Sequence, residues 1–261
     1  MSAPPPPPSD AASAAPCRPD AYAPVVEVHA CGRAWTLERH ADLESLWEEL
    51  AACDGPNPVV PDAASTAGPV DAARAAFVDD ERLPYWTELW PASLGLAEWL
   101  AENRAALQGH RCLDLGCGLG LTAIVGQWLG AQVIGMDYEE EALRFARLNA
   151  ARNGVAQPLW TVMDWRVPAV AARSLDMVWA GDIMYERRFV TPVSDFLDYS
   201  VARDGVVWVA EPGRNVYATF RETLEARGWT TRCARTMQVD ALYRQAERVT
   251  IHLWEMRPPL T

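Results

Sequence analysis

The sequence predicts an α/β fold in which a mostly parallel sheet carries helices on both faces. Two observations indicate this fold. Apolar runs of strand length alternate with segments of helical periodicity between residues 111 and 210. One of these runs, at 111–115, leads directly into three closely spaced glycines. Strands separated by helices pair in parallel, so we expect ligands to bind at the carboxyl ends of these strands.

The predicted elements begin with a helix that starts at Pro91 and faces the core through Leu96, Trp99, Leu100 and Leu107. Strands are then expected at 111–115, 132–136, 159–163, 175–181 and 206–210. Helices are expected at 119–130 and from Glu139 to a C-cap at Gly154. The alternating segment at 247–256 predicts an antiparallel strand that pairs with 229–238.

The first 82 residues lie outside this pattern. Residues 1–22 are rich in Pro and Ala and lack the basic start and apolar core of a signal peptide, which predicts a disordered tail. Residues 23–82 are expected to form an N-terminal extension and linker, and residues 83–261 the α/β domain.

Within the extension, alternating residues at 25–30 and 34–38 predict a hairpin. A helix is predicted from four apolar residues at helical spacing: Leu43, Leu46, Trp47 and Leu50. Residues 53–70 have the Pro- and Ala-rich composition of a linker. The extension is therefore either a lid or docking element for a partner, or a small scaffold packed on the main domain.

The glycine-rich turn RCLDLGCGLG, at 111–120, is the most informative segment. Its glycines allow the backbone to approach a ligand closely and to adopt positive φ. A dinucleotide-binding turn also requires glycine at the sixth position from Gly116, where this chain has Leu121. Asp114, two residues before Gly116, would repel a pyrophosphate. Both features disfavour an NAD-dependent oxidoreductase.

The same carboxylate suits a ligand that carries an ammonium group and a positive sulfur, which S-adenosylmethionine does. Its ribose requires a carboxylate after the second strand, and Asp137 follows Gly116 by 21 residues. The acidic residues also have structural interpretations. In these interpretations Asp114 supports the glycine turn or caps a helix, Asp137 caps the helix at 139, and Asp164 only ends a strand.

Several motifs resemble the class I, seven-strand S-adenosylmethionine-dependent methyltransferases. They are DLGCGLG at 114–120, Asp137 and the pair Asp164-Trp165. Three further motifs, PYWTELWPA at 84–92, MDW at 163–165 and GDIMY at 181–185, resemble the non-histone protein lysine methyltransferase family. The resemblance is greatest to the branch that modifies the β subunit of electron-transfer flavoprotein, and it covers Leu83 to the C-terminus.

This resemblance implies a Rossmann-like seven-stranded methyltransferase sheet preceded by a small extension of hairpin plus helix. It also implies a set of cofactor-binding residues: Trp90, Asp114, Gly116, Gly118, Asp137, Asp164 and Trp165. In this set the carboxylate of Asp164 would accept a hydrogen bond from the adenine amine, and Trp165 would cover the ring. Trp90 would offer an aromatic face to the sulfonium.

GDIMY carries the expected chemistry. Asp182 follows the apolar run at 175–180, where a carboxylate can bind and orient an incoming amine, and Tyr185 would wall the methyl-transfer channel. A lysine amine, with a pKa of about 10.4, must lose a proton first. Asp182 alone would favour the charged amine, so its expected role is positioning. Alternatively, Asp182 caps a helix and Tyr185 packs in the core.

Composition narrows the function further. All 23 basic residues are arginine, which excludes a P-loop lysine, pyridoxal Schiff-base chemistry and Ser-Lys catalysis. A net charge of −12 argues against binding to nucleic acid and favours a cationic partner. The six cysteines form no CxxC pair and no metal spacing with histidine, as expected for reduced thiols in the cytoplasm. No apolar run approaches membrane-spanning length.

The sequence therefore predicts an S-adenosylmethionine-dependent N-methyltransferase in the cytoplasm, acting on an accessible lysine of another protein, with no metal. Two alternatives stay open: a small-molecule amine methyltransferase and a non-catalytic regulatory protein that binds the same cofactor. The sequence indicates neither the substrate nor the oligomeric state.

Overall fold

The computed structural model describes residues 23–40, 85–242 and 248–259. The predicted tail at 1–22, helix at 43–50 and linker at 53–70 lie outside these residues. The strands are β1 Val25–Ala30, β2 Arg33–Glu38, β3 Arg111–Leu115, β4 Gln132–Asp137, β5 Leu159–Val162, β6 Leu175–Gly181, β7 Val201–Glu211, β8 Thr230–Asp240 and β9 Arg248–Arg257. The helices are α1 Pro91–Glu102, α2 Arg104–Leu107, α3 Leu121–Leu129, α4 Glu140–Arg152, α5 Val190–Ser200 and α6 Asn215–Ala226.

Seven strands form one sheet in the order β5-β4-β3-β6-β7-β9-β8. The first five in this order pair in parallel, whereas β9 pairs antiparallel with both β7 and β8. This confirms the predicted fold class and the closing hairpin. Strand β3 lies centrally, and its residues after Arg111 are buried because helices cover both faces of the sheet.

Strand β7 begins at Val201, five residues before the expected start at 206. Arg203, Asp204 and Gly205 hid this start, because they interrupt the apolar pattern. The pairing of β6 with β7 shifts register between Leu175 and Met177, where β7 advances from Val201 to Val206. An irregularity of this kind lets a strand continue across residues that do not follow its alternation.

The two faces of the sheet bury separate groups of side chains, as the two-residue period of a strand requires. In β3, Cys112 packs on the face that carries α1, α3 and the N-terminal hairpin. Leu113 and Leu115 pack on the opposite face, with α5 and α6. Helix α1 ends at Glu102, so Leu107 reaches the core from the separate short helix α2.

The N-terminal hairpin β1–β2 is packed into the domain. Trp35 and Leu37 are completely buried. The Asn149 amide accepts a hydrogen bond from the Glu38 N–H (2.6 Å) and donates to the Glu38 carbonyl (3.0 Å). Asn153 makes the equivalent pair of bonds to Thr36. Two side-chain amides of α4 thus bond the backbone of β2 as a neighbouring strand would, and they fix the hairpin to the domain.

Among the described residues, none of the helices combines the length and apolar character needed to cross a membrane.

Candidate active site

A cavity of about 290 Å³ opens at the carboxyl ends of β3, β4 and β6. This volume is near the lower end of the range of small-molecule sites, about 300–1,000 Å³. The glycine turn after β3 and Asp137 line it, and so do Asp182 and Tyr185, which follow β6. The structure therefore brings the two predicted groups of residues into one space.

The glycine turn requires glycine for two separate reasons. Gly116 and Gly118, which line the cavity, have φ of +68° and +49°, a conformation that side chains disfavour. Gly120 has φ of +86°, and a Cβ there would lie 2.7 Å from the Cβ of Ala146 on α4. Close packing of α4 therefore excludes a side chain at Gly120 independently of its backbone angles.

Asp137 ends β4 and lines the cavity, although only 5% of the residue is exposed. One carboxylate oxygen accepts a hydrogen bond from the Gly118 N–H (2.8 Å) and the other from the Glu139 N–H (3.1 Å). Burial raises the pKa of this carboxyl, and the backbone donors oppose that shift. Asp137 thus ties the glycine turn to β4, and each of its oxygens keeps further acceptor capacity for a ligand.

Asp114 does not line the cavity, in contrast to the predicted ligand contact. It is 1% exposed, and its carboxylate accepts a hydrogen bond from the Thr122 hydroxyl (2.6 Å) in the first turn of α3. Burial raises the pKa of this carboxyl to about 7. In this structure Asp114 holds the glycine turn against α3, which is the structural interpretation that the sequence left open.

Of the predicted pair Asp164 and Trp165, only Trp165 lines the cavity. Trp165 lines the cavity and packs edge-on against Phe189, with ring centroids 5.2 Å apart. Asp164 is absent from the lining. Its carboxylate is paired with the guanidinium of Arg166, at 2.9 Å and 3.1 Å from Nε. The predicted bond between Asp164 and an adenine amine stays a prediction.

Aromatic side chains cover the cavity on the side of Asp182. Trp90 precedes the first residue of α1, and its indole N–H donates to the Tyr85 carbonyl (3.0 Å). The Tyr85 ring lies 4.9 Å from the Tyr185 ring and 6.1 Å from the Trp90 ring. Sequence reasoning did not select Tyr85 as a site residue, although the PYW motif contains it. Burial raises the pKa of Tyr185, so its hydroxyl stays protonated at neutral pH.

Asp182 makes an ion pair that the sequence did not reveal. Arg214 Nε and Nη2 donate to the two carboxylate oxygens of Asp182, at 2.5 Å and 2.7 Å. The Asp182 side chain is only 3% exposed, and burial raises its pKa while Arg214 lowers it. Asp182 caps no helix. Arg214 also lines the cavity, and its position directly before α6 is the one sequence signal that places it near this edge.

Acidic side chains outnumber basic ones in the lining of the cavity. Four carboxylates line it, those of Glu88, Asp137, Asp182 and Glu186, together with the single guanidinium of Arg214. This charge balance suits a ligand with positive groups and opposes a pyrophosphate. Both cationic groups of S-adenosylmethionine therefore fit the residues present. No cluster of residues within the described ranges has the composition of a metal site.

Comparison with known proteins gives consistent similarities. The family model for ribosomal protein L11 methyltransferase (PrmA) matches residues 96–186. The chain is 30% identical to the electron transfer flavoprotein beta subunit lysine methyltransferase of Xenopus laevis over 142 residues, 52% of this chain and 55% of that protein. It is 31% identical to the protein of the same name from Danio rerio over 133 residues, 50% of this chain and 51% of that protein. The chain thus spans about half the length of these curated relatives.

Among solved structures, the magnesium protoporphyrin IX methyltransferase (ChlM) of Synechocystis PCC 6803 with bound SAM superposes with a TM-score of 0.52. The superposition covers 83% of this chain and 93% of that protein at 18% identity, so it bears on the fold alone. The fold is that of the class I S-adenosylmethionine-dependent methyltransferases, and over the matched region the chain is similar to members of that class. Within that class it is similar to protein lysine methyltransferases in the matched region.

Proposed function

We propose that the chain transfers a methyl group from S-adenosylmethionine to the side-chain amine of a lysine in another protein. The observation that carries this proposal is a single cavity with two differently equipped sides. The cofactor half consists of Gly116, Gly118, Asp137 and Trp165. The acceptor half consists of Tyr85, Asp182, Tyr185 and Arg214, and Trp90, which also lines the cavity, would face the sulfonium of the cofactor.

In the cofactor half, Asp137 would accept hydrogen bonds from the ribose hydroxyls, and the open backbone at Gly116 and Gly118 would allow close approach. Trp165 would cover the adenine ring. When bound, S-adenosylmethionine supplies an electrophilic methyl group on a positive sulfur. The relatives and the acidic lining support this assignment.

In the acceptor half, the aromatic walls would exclude water from the lysine amine and so help it to lose its proton. With S-adenosylmethionine held in the cofactor half, the acceptor half would present the lone pair of the neutral nitrogen to the methyl group, and the electron pair of the S–C bond would stay with sulfur. The nitrogen releases its remaining surplus proton to water. Tyr185 would act as a hydroxyl donor and wall, because its raised pKa excludes it as a base near neutral pH. Asp182 would position the acceptor rather than take its proton.

A protein acceptor is supported by the names of the relatives and by the net charge of −12, which favours approach of a lysine-bearing surface. We extend this to a location in the cytoplasm, where reduced cysteines are the norm.

The proposal is tested by incubating the purified chain with methyl-labelled S-adenosylmethionine and two probes in parallel. The first probe is a purified β subunit of an electron-transfer flavoprotein, and the second is free lysine. Label on a lysine side chain of the protein probe, placed by peptide mass spectrometry, supports the proposal. Label only in free lysine favours a small-molecule amine methyltransferase. Cofactor binding without transfer to either probe, or to a mixture of cellular proteins, favours the non-catalytic alternative.

A further inference from the structure

The Asp182–Arg214 pair controls what an acceptor meets in the cavity. The side chain of Asp182 is 3% exposed, whereas that of Arg214 is 34% exposed. An acceptor that enters from solvent therefore meets the guanidinium before the carboxylate. The Arg214 guanidinium also lies 5.9 Å from the centre of the Trp90 ring, on the aromatic side of the cavity.

Both partners of the pair are anchored independently. Glu211 ends β7, and its carboxylate accepts hydrogen bonds from the backbone N–H groups of Gly213 (2.5 Å) and Arg214 (2.9 Å). The same carboxylate accepts a third bond from the Trp254 indole (3.2 Å). The Asp182 N–H donates to the Ala210 carbonyl (2.8 Å). These hydrogen bonds fix the backbone on both sides of the Asp182–Arg214 ion pair, and none of them involves a ligand.

Methyl transfer needs a neutral amine, and a lone buried carboxylate would hold the acceptor in its charged form. On the basis of the proposed function, we propose that Arg214 stays paired with Asp182 during the reaction and favours the neutral form of the acceptor lysine. The guanidinium cancels the charge of Asp182, so an ammonium gains little by binding beside the pair. Arg214 is thus a positioning residue whose charge sets the protonation state of the acceptor.

Two of the other three carboxylates that line the cavity are paired with arginines. Glu88 pairs with the buried Arg39 at 2.7 Å, and Glu186 pairs with Arg188 at 2.7 Å. Both oxygens of Asp137 accept backbone hydrogen bonds. The remaining titratable side chains of the lining are those of Tyr85, Cys117, Tyr138 and Tyr185, and burial raises the pKa of Cys117 and of Tyr185. A substitution in the Asp182–Arg214 pair is therefore the most direct way to change the charge that the acceptor amine meets.

The test measures kcat at saturating acceptor between about pH 6 and pH 10, a range that brackets the pKa of a perturbed lysine. The pH dependence of kcat reports groups in the complex, so its acidic limb follows the bound amine. The acceptor is the protein that takes label in the assay above. Arg214→Gln should move the acidic limb to higher pH by about 1–3 units, with kcat recovering above the new limb. Cofactor affinity should stay within a few-fold.

Three further variants separate charge from structure. Arg214→Lys keeps the charge and should leave the limb near its wild-type position. Asp182→Asn leaves Arg214 unpaired and should move the limb to lower pH, opposite to Arg214→Gln. The double variant Arg214→Gln/Asp182→Asn is neutral, as the native pair is, and should return the limb toward the wild type. This last result distinguishes charge cancellation from a loss of folding at the turn.

Arg111→Gln is the matched control. Arg111 makes an equivalent fork with Asp176, at 2.7 Å and 3.1 Å, but at the amino end of β3, away from the cavity. Its pH profile should match that of the wild type.

Coincident acidic limbs for wild type and Arg214→Gln would overturn the inference while leaving the proposed function intact. An Arg214→Gln variant with higher kcat at every pH and a lower acceptor KM would also overturn it, since the acceptor would then displace Arg214. A wild-type chain that methylates no protein removes the proposed function, and this inference with it.

Discussion

The cofactor half of the cavity is formed largely by a backbone turn, whereas the acceptor half is formed by side chains. In the cofactor half, a short run of the chain supplies the glycine turn, and Asp137 fixes it through backbone N–H groups. In the acceptor half, side chains from distant parts of the chain meet: Tyr85 before α1, Asp182 after β6 and Arg214 before α6. A site formed by backbone geometry tolerates few substitutions. A site formed by side chains can be changed by substitution to accept another substrate without altering the fold. Substrate identity should therefore reside in the acceptor half.

The largest effect expected is on the backbone of the cofactor half. Gly120→Ala should destabilise the protein by about 2–5 kcal/mol, because it combines a positive φ with overpacking against Ala146. Chemical denaturation measures this change. Gly154→Ala is the matched control, since Gly154 also has positive φ (+65°) but open space at its Cβ position. It should cost only about 1–2 kcal/mol. Equal losses at the two sites would show that packing against α4 does not constrain the turn.

The raised pKa of Asp114, two residues before Gly116, predicts that the stability of the protein depends on pH. Its carboxyl has a pKa of about 7 in the folded state and 3.8 as its ordinary value, so the folded state binds more protons between these limits. Wild-type stability should therefore fall as pH rises from about 4 to 7, by on the order of 2–4 kcal/mol from this group.

Asp114→Asn keeps an acceptor for Thr122 and cannot ionise, so it should lack this part of the pH dependence. Denaturation curves at the two ends of the window give the comparison. A wild type and variant whose stabilities change in parallel with pH would contradict the assignment.

Substitutions in the acceptor half should separate chemistry from cofactor binding. Tyr185→Phe and Asp182→Asn should lower the plateau value of kcat by about 10–100-fold, the scale of one or two lost interactions in the transition state. Affinity for S-adenosylmethionine should change by no more than a few-fold. Steady-state kinetics on the labelled protein acceptor, with calorimetry for the cofactor, measures both quantities. Full activity in Asp182→Asn would remove Asp182 from the acceptor half.

The smallest effect is expected at Asp164. Because its carboxylate is paired with Arg166 outside the cavity lining, Asp164→Asn should change cofactor affinity less than about threefold, well under one hydrogen bond to a charged group. Calorimetry decides this as well. A loss as large as that of an Asp137 variant would mean that the Asp164–Arg166 pair opens when the cofactor binds.

The difference between the halves also explains what the sequence could predict. Periodicity located the parallel strands and the closing hairpin, and the motif DLGCGLG located the glycine turn, since these features depend on residues near one another in sequence. Arg214 was missed because its partner Asp182 lies 32 residues away and only the sheet brings them together. Asp114 and Asp164 were expected in the cavity because a motif gives residue type and strand end, but not which way a carboxylate is held.

The central claim is that the cofactor half recognises S-adenosylmethionine through Asp137 and the glycine turn. Titration calorimetry of the purified chain tests it most directly, with S-adenosylmethionine and NAD as separate titrants and Asp137→Ala as the variant. We expect S-adenosylmethionine to bind the wild type, NAD to show no comparable binding, and Asp137→Ala to weaken S-adenosylmethionine binding by about 1–3 kcal/mol. Equal affinity for NAD, or an Asp137→Ala variant that binds S-adenosylmethionine as tightly as the wild type, would contradict the claim.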